Sequence, residues 1–124
     1  MKTAIIGAGS IGLAAALVCQ RAGHSVTIFD PHGFDQKSLA DEIDPRVWAL
    51  GGQSTALLED LGAWSPDERV IPYQSMYVID SRSDAKVTFS EPSLGHLVEA
   101  DWVRNRLLSH VSESNIRCIP DRVV

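Results

Sequence analysis

The chain has 124 residues, 44% hydrophobic and 22% charged, which allows one domain with a real core and argues against a disordered segment. Its formal net charge is −5 and its Lys and Arg residues are scattered, so nucleic acid is a poor partner; phosphate contacts need clustered positive charge. Cys19 and Cys118 show no paired spacing and read as buried free thiols in a reducing, cytoplasmic setting.

Thr3 to Ile6 is a short apolar run that predicts a strand. It breaks into Gly7-Ala8-Gly9-Ser10-Ile11-Gly12 and continues into an Ala-rich stretch, so a helix is expected over Ser10 to Ala22, closed by Gly23. Ser25 to Phe29 predicts a second strand, ended by Asp30. The glycine triplet alone carries little weight. A strand before it, a helix after it and an acid ending the next apolar run are the context a dinucleotide-binding βαβ unit requires. In that reading Gly7 permits the tight turn, Gly9 lets a diphosphate approach bare backbone, and Gly12 lets the helix pack on the sheet. The helix start at Ser10 and Ile11 offers free N–H groups and a positive dipole end to the phosphates. Asp30 follows Gly12 by 18 positions, near the ~20 of the fingerprint, and its carboxylate can accept both hydroxyls of a ribose. Pro31 and His32 follow it where a ribose 2′-phosphate would call for Arg or Lys, which disfavours an NADP-type adenosine site. Lys2 before an apolar run suits a secretory leader poorly, because the glycines interrupt the run and Arg21 closes it short of a membrane span.

From Pro31 to Pro45 the chain is polar and irregular, with room for one or two helical turns between Gln36 and Ile43; Asp41, Glu42 and Asp44 are expected to face solvent. Arg46 to Leu50 is a short extended piece. Gly51-Gly52 releases the chain into a helix from about Gln53 to Leu61, with Ala56, Leu57 and Leu61 as its apolar face and Gly62 at its end. Gln74 to Asp80 and Ala85 to Ser90 predict two strands joined by a turn over Ser81 to Asp84. A further helix is expected from about Glu99 to Val111, with Val103, Leu107, Leu108 and Val111 as its buried stripe, then a strand over Asn115 to Ile119. Val123 and Val124 read as the start of a return toward the nucleotide fold. His24, His32, His96 and His110 have no metal-ligand spacing, so no metal site is assigned. Ser10 lies outside any nucleophile elbow, and Trp48, Trp64 and Trp102 are too widely spread for an aromatic cage and read as core or interface side chains.

Asp44-Pro-Arg-Val-Trp-Ala-Leu50, followed by a helix ending in Leu61-Gly-Ala-Trp64, resembles the FAD-dependent aromatic-ring hydroxylases of ubiquinone biosynthesis. In that family an Arg-x-x-Ala-Leu piece precedes a helix ending in Leu-Gly-x-Trp. Met76-Tyr-Val-Ile-Asp80 is similar to its next pair of strands. Leu94-Gly-His-Leu-Val-Glu99, with Leu107-Leu108 beyond, is similar to its Leu-Gly-Tyr-x-Val-Glu-Asn segment and the helix after it. The resemblance runs along nearly the whole chain. It implies that Gly7, Ala8, Gly9, Ser10, Ile11 and Gly12 hold the FAD diphosphate and Asp30 the adenosine ribose. It also implies that Arg46 reaches over the cofactor toward the diphosphate and that Val123 falls where backbone groups hold the adenine. Two departures stand out: Asp30 where the family usually has Glu, and Ala100 where relatives carry Asn, Gln or Arg against the cofactor.

The fold the resemblance implies is α/β, a Rossmann-like FAD/NAD(P)-binding βαβ fold with an added hairpin and helix, incomplete relative to the full family fold. Members of the family are much longer, so residues 1–124 are expected to be an N-terminal FAD-binding portion, with the hairpin at about 74–90 belonging to a substrate-side sheet. NADPH or NADH as transient reductant, a small aromatic substrate, peripheral membrane contact and self-association of a shortened chain are further expectations. No catalytic side chain is assigned, because the cofactor carries the chemistry. The opening residues alone leave two other readings open: an NAD-dependent dehydrogenase or reductase, and a non-catalytic nucleotide-binding module.

Overall fold

The computed structural model describes residues 1–39 and 43–123. The expectations for Asp41, Glu42 and Val124, and for the middle of the 36–43 segment, lie outside the described residues. The opening βαβ unit forms as expected: β1 (Lys2–Ile6), α1 (Ser10–Arg21) and β2 (Ser25–Phe29). β1 and β2 pair in parallel, from Lys2 opposite Ser25 to Ile6 opposite Phe29. β6 (Arg117–Ile119) adds in parallel beside β2, giving the order β1-β2-β6. The second sheet is antiparallel, with β5 (Lys86–Glu99) between β3 (Val47–Leu50) and β4 (Ile71–Ile79). α2 (Gly52–Asp60) follows β3, and α3 (Ala100–Ser112) leaves directly from the end of β5.

One core joins these elements. Leu13, Ala16 and Leu17 of α1 and Val26 and Ile28 of β2 meet Val103, Leu107, Leu108 and Val111 of α3. The stripe expected on α3 is thus fully buried, each large side chain contributing about 1.5–3 kcal/mol by leaving water. Trp102, 1% exposed, joins it. Its indole N–H is satisfied by the Asp67 carboxylate at 2.9 Å, so the ring is buried without an orphaned donor. Trp64 packs edge-on against Trp102, whereas Trp48 lies half-exposed on β3.

Four local expectations are corrected. The helical turns expected near Gln36 are absent at the described positions, because the Asn105 side chain takes over the backbone pairing: it accepts from the Lys37 N–H at 3.0 Å and donates to the Lys37 carbonyl at 2.7 Å. On α2 the inward positions are Thr55 and Leu58, running on to Leu61, while Ala56 is exposed and Leu57 is 44% exposed. Thr55 is tolerated inside because its hydroxyl donates to the Gly52 carbonyl. β5 does not end at Ser90. A register shift opposite Tyr73 to Ser75 absorbs the irregular residues around Pro92, and Gly95 to Glu99 continue the strand. The last strand is shorter than expected because Ser114 and Ile116 close a turn first.

Candidate functional site

The site is the bend between β1 and α1. Gly7 has φ +103°, which a side chain would strain, and donates its N–H to the Phe29 carbonyl at 2.8 Å. A Cβ on Gly12 would lie 2.0 Å from the Gly7 carbonyl oxygen, so only glycine lets the helix approach its own entry strand this closely. A Cβ on Gly9 would meet nothing within 4 Å, and the backbone there lies open. The first backbone bond of α1 runs from Leu13 N–H to the Gly9 carbonyl. The amides of Ser10, Ile11 and Gly12 precede it, with no acidic residue in the first turn to neutralise the dipole. These are the donors, the open approach and the field that a diphosphate requires, so the residues fit the group.

Asp30 closes the site from the end of β2. Its Oδ2 accepts from the Ala8 N–H at 2.6 Å and its Oδ1 from the His32 N–H at 2.8 Å. Partial burial pushes this carboxyl up, but the Ala8 and His32 amides, with the charges of His32 and Arg104, outweigh it and hold it below the ordinary aspartate value. Asp30 is therefore an anion beside the bend, and each of its oxygens retains a lone pair for a further donor. The Asp30 N–H bonds the Ile119 carbonyl, so β6 ends beside the same site, at the carboxyl edge where parallel sheets bind ligands. Val123 follows a few residues on and is exposed.

Arg46 is 61% exposed and its guanidinium is already engaged, by Asp44 at 3.1 Å and Asp101 at 2.8 Å. Against the expectation from the sequence, Asp44 is not a solvent-facing acid. Its side chain is 7% exposed and accepts from the Asp101 N–H at 3.0 Å, capping α3 from outside the helix. The Ala100 N–H is likewise spent on the Arg46 carbonyl at 2.8 Å. Ala100 is buried and thus offers a ligand neither side chain nor free amide.

One residue of the site has no motif in the sequence. Arg104, on α3, donates through Nε to the Ala8 carbonyl at 3.1 Å and through its terminal nitrogens to the carbonyls of Asp35 at 2.9 Å and Gly33 at 3.5 Å. Its only sequence signal is a cation between the buried Val103 and Leu107, on the border of an apolar stripe. Beside Ser10 and Ile11 an apolar cleft of about 260 Å³ opens between Ala14, Trp48, Leu57 and Val103, so apolar surface continues directly from the amide end. Among the described residues no cluster of His, Cys, Asp or Glu could hold a metal.

A family model described as an NAD(P)-binding Rossmann-like domain matches residues 5–34. That span holds the end of β1, the glycine bend, α1, β2 and Asp30. Residues 5–34 fold as a Rossmann-like βαβ unit. No curated protein matches the sequence. Among solved structures, FqzB is similar over 100% of this chain and 29% of its own, with a TM-score of 0.68 and 16% identity. A peptidyl tryptophan dihydroxylase, QhpG, essential for tryptophylquinone cofactor biogenesis, is similar over 96% of this chain and 24% of its own, with a TM-score of 0.60 and 16% identity. The p-nitrophenol 4-monooxygenase PnpA from Pseudomonas putida DLL-E4 is similar over 93% and 29%, with a TM-score of 0.59 and 17% identity. The fold is shared across both sheets, and the chain spans 24–29% of the length of these proteins. No helix among the described residues is long and apolar enough to cross a membrane.

Proposed function

We propose that this chain is the N-terminal FAD-binding portion of a flavin-dependent monooxygenase that hydroxylates an aromatic ring, a ubiquinone precursor being the substrate of the complete enzyme. The observation that carries the reading is the Asp30 carboxylate, 2.6 Å from the Ala8 N–H at the foot of an uncapped helix. In this reading Gly7, Ala8, Gly9, Ser10, Ile11 and Gly12 hold the diphosphate and Asp30 the ribose. Arg46, whose side chain is itself exposed, exchanges a carboxylate partner for a phosphate oxygen. Backbone near Val123 flanks the adenine. The hairpin at 74–90 belongs to the substrate-side sheet, and its bare apolar residues drive self-association of the chain by itself. The resemblance of residues 44–64 and 94–108 to the hydroxylase family supports this, as do the hydroxylating names of two proteins that share the fold. FAD, reduced by NADPH or NADH, supplies the oxygen-activating chemistry; this chain's residues bind and orient it and keep water from one side.

Titration of the purified chain with FAD tests the proposal: flavin fluorescence is quenched on binding, ADP competes, and no hydroxylation occurs. Turnover of a phenol with NADPH and oxygen by these 124 residues would overturn the reading of the chain as a portion. The match of residues 5–34 to an NAD(P)-binding model favours one alternative, an NAD-dependent dehydrogenase. Thermal protection by NADH with no response to FAD would select it.

A further inference from the structure

We propose that Arg104 is the positioning residue of the diphosphate-binding bend, an inference that rests on the nucleotide reading above. Two successive peptide planes of the bend are held from outside it. The Gly7–Ala8 plane is fixed by the Ala8 N–H on Asp30 at 2.6 Å, and the Ala8–Gly9 plane by the Ala8 carbonyl on Arg104 Nε at 3.1 Å. The described peptides are all trans, so the carbonyl and N–H of one plane point in opposite directions. Arg104 drawing the Ala8 carbonyl toward α3 therefore turns the Gly9 N–H away from α3, on a residue whose surroundings are open. Gly9, with no Cβ, lowers the steric cost of turning this plane over. A flip would put a carbonyl where a diphosphate oxygen has to sit.

The same guanidinium holds the Asp35 and Gly33 carbonyls. It thereby fixes the loop whose His32 N–H orients Asp30. One side chain thus sets the amide that would meet the diphosphate and steadies the carboxylate that would meet the ribose. Arginine suits the task because its planar fork reaches several carbonyls at once; lysine, a point donor, would reach fewer.

The test uses Arg104→Met and Arg104→Lys in the whole chain, with two readouts. In ligand-free protein, ¹⁵N relaxation at Gly9 should show a rigid peptide in the wild type, a mobile one in R104M and partial recovery in R104K. In binding, ADP affinity should fall about tenfold in R104M, as expected for one charge-assisted hydrogen bond, while adenosine affinity changes less than twofold. A merely structural role would lower the melting temperature without altering the ADP-to-adenosine ratio. An unchanged Gly9 amide, or an unchanged ratio, overturns the assignment. Should the wild type bind neither ligand while Gly9 loosens in R104M, the positioning role stands and the nucleotide reading falls.

Discussion

At the glycine end, β1, α1 and β2 enclose Leu13, Ala16 and Ile28, and each bent peptide finds a partner in Asp30, Arg104 or Phe29. The hairpin of β4 and the first half of β5 does the reverse. Met76, Tyr77, Val78, Ile79, Val87 and Phe89 are all substantially exposed, on both faces of the ribbon. Its strands are held by cross-strand pairs, such as Tyr77 opposite Thr88 with Lys86 over the tyrosine ring, and by a turn in which Asp80 accepts from the Arg82 N–H. Packing therefore fixes the first region, and local pairing and turn chemistry the second.

The largest test of this contrast is Trp102→Ala, which empties the centre of the core that secures the glycine end and removes one of the donors to the Asp67 carboxylate. A loss of about 3–5 kcal/mol is expected in denaturant unfolding. Gly12→Ala comes next: its Cβ collides with the Gly7 carbonyl, costs at the upper end of the ~1–3 kcal/mol of overpacking, and abolishes nucleotide binding. Asp30→Asn should leave the fold intact and weaken ADP binding about tenfold. Because the folded state depresses the Asp30 carboxyl, its contribution to stability is complete above the unfolded value of 3.8 and is lost as pH falls through the lower folded value. The stability gap between wild type and D30N should therefore narrow in acid, measured as paired unfolding curves. Smallest is Ile79→Ser on the hairpin, 68% exposed in the wild type, where stability should stay within about 0.5 kcal/mol while self-association on gel filtration declines.

The same contrast explains what could be read from the residues beforehand. The glycine triplet, Asp30 and the α3 stripe announce themselves by fixed spacing or helical period, and all fall where expected. The turn over Ser81 to Asp84 is legible in the same way and lies between β4 and β5. Long-range side-chain service to the backbone was not legible. Asn105 replaces a helical turn at Lys37, Asp44 caps a helix 57 positions away, and Arg104 reaches Ala8 across 96 positions. No local pattern encodes such partners, since each depends on where the second sheet delivers α3. The inward face of α2 differs from its apolar periodicity for a related reason. A threonine able to bond its own helix can occupy a buried position that apolar periodicity assigns to leucine.

Within little more than one turn of α3, Asp101, Arg104 and Asn105 grip three otherwise separate stretches of chain: Arg46 just before β3, the glycine bend and the segment at Lys37. Sliding or rotating that helix would release all three together, since no one of them moves with α3 while the others stay. The latch therefore works as a single unit, and its opening should be all-or-none, with the Asp101 and Lys37 amides exchanging at a common rate.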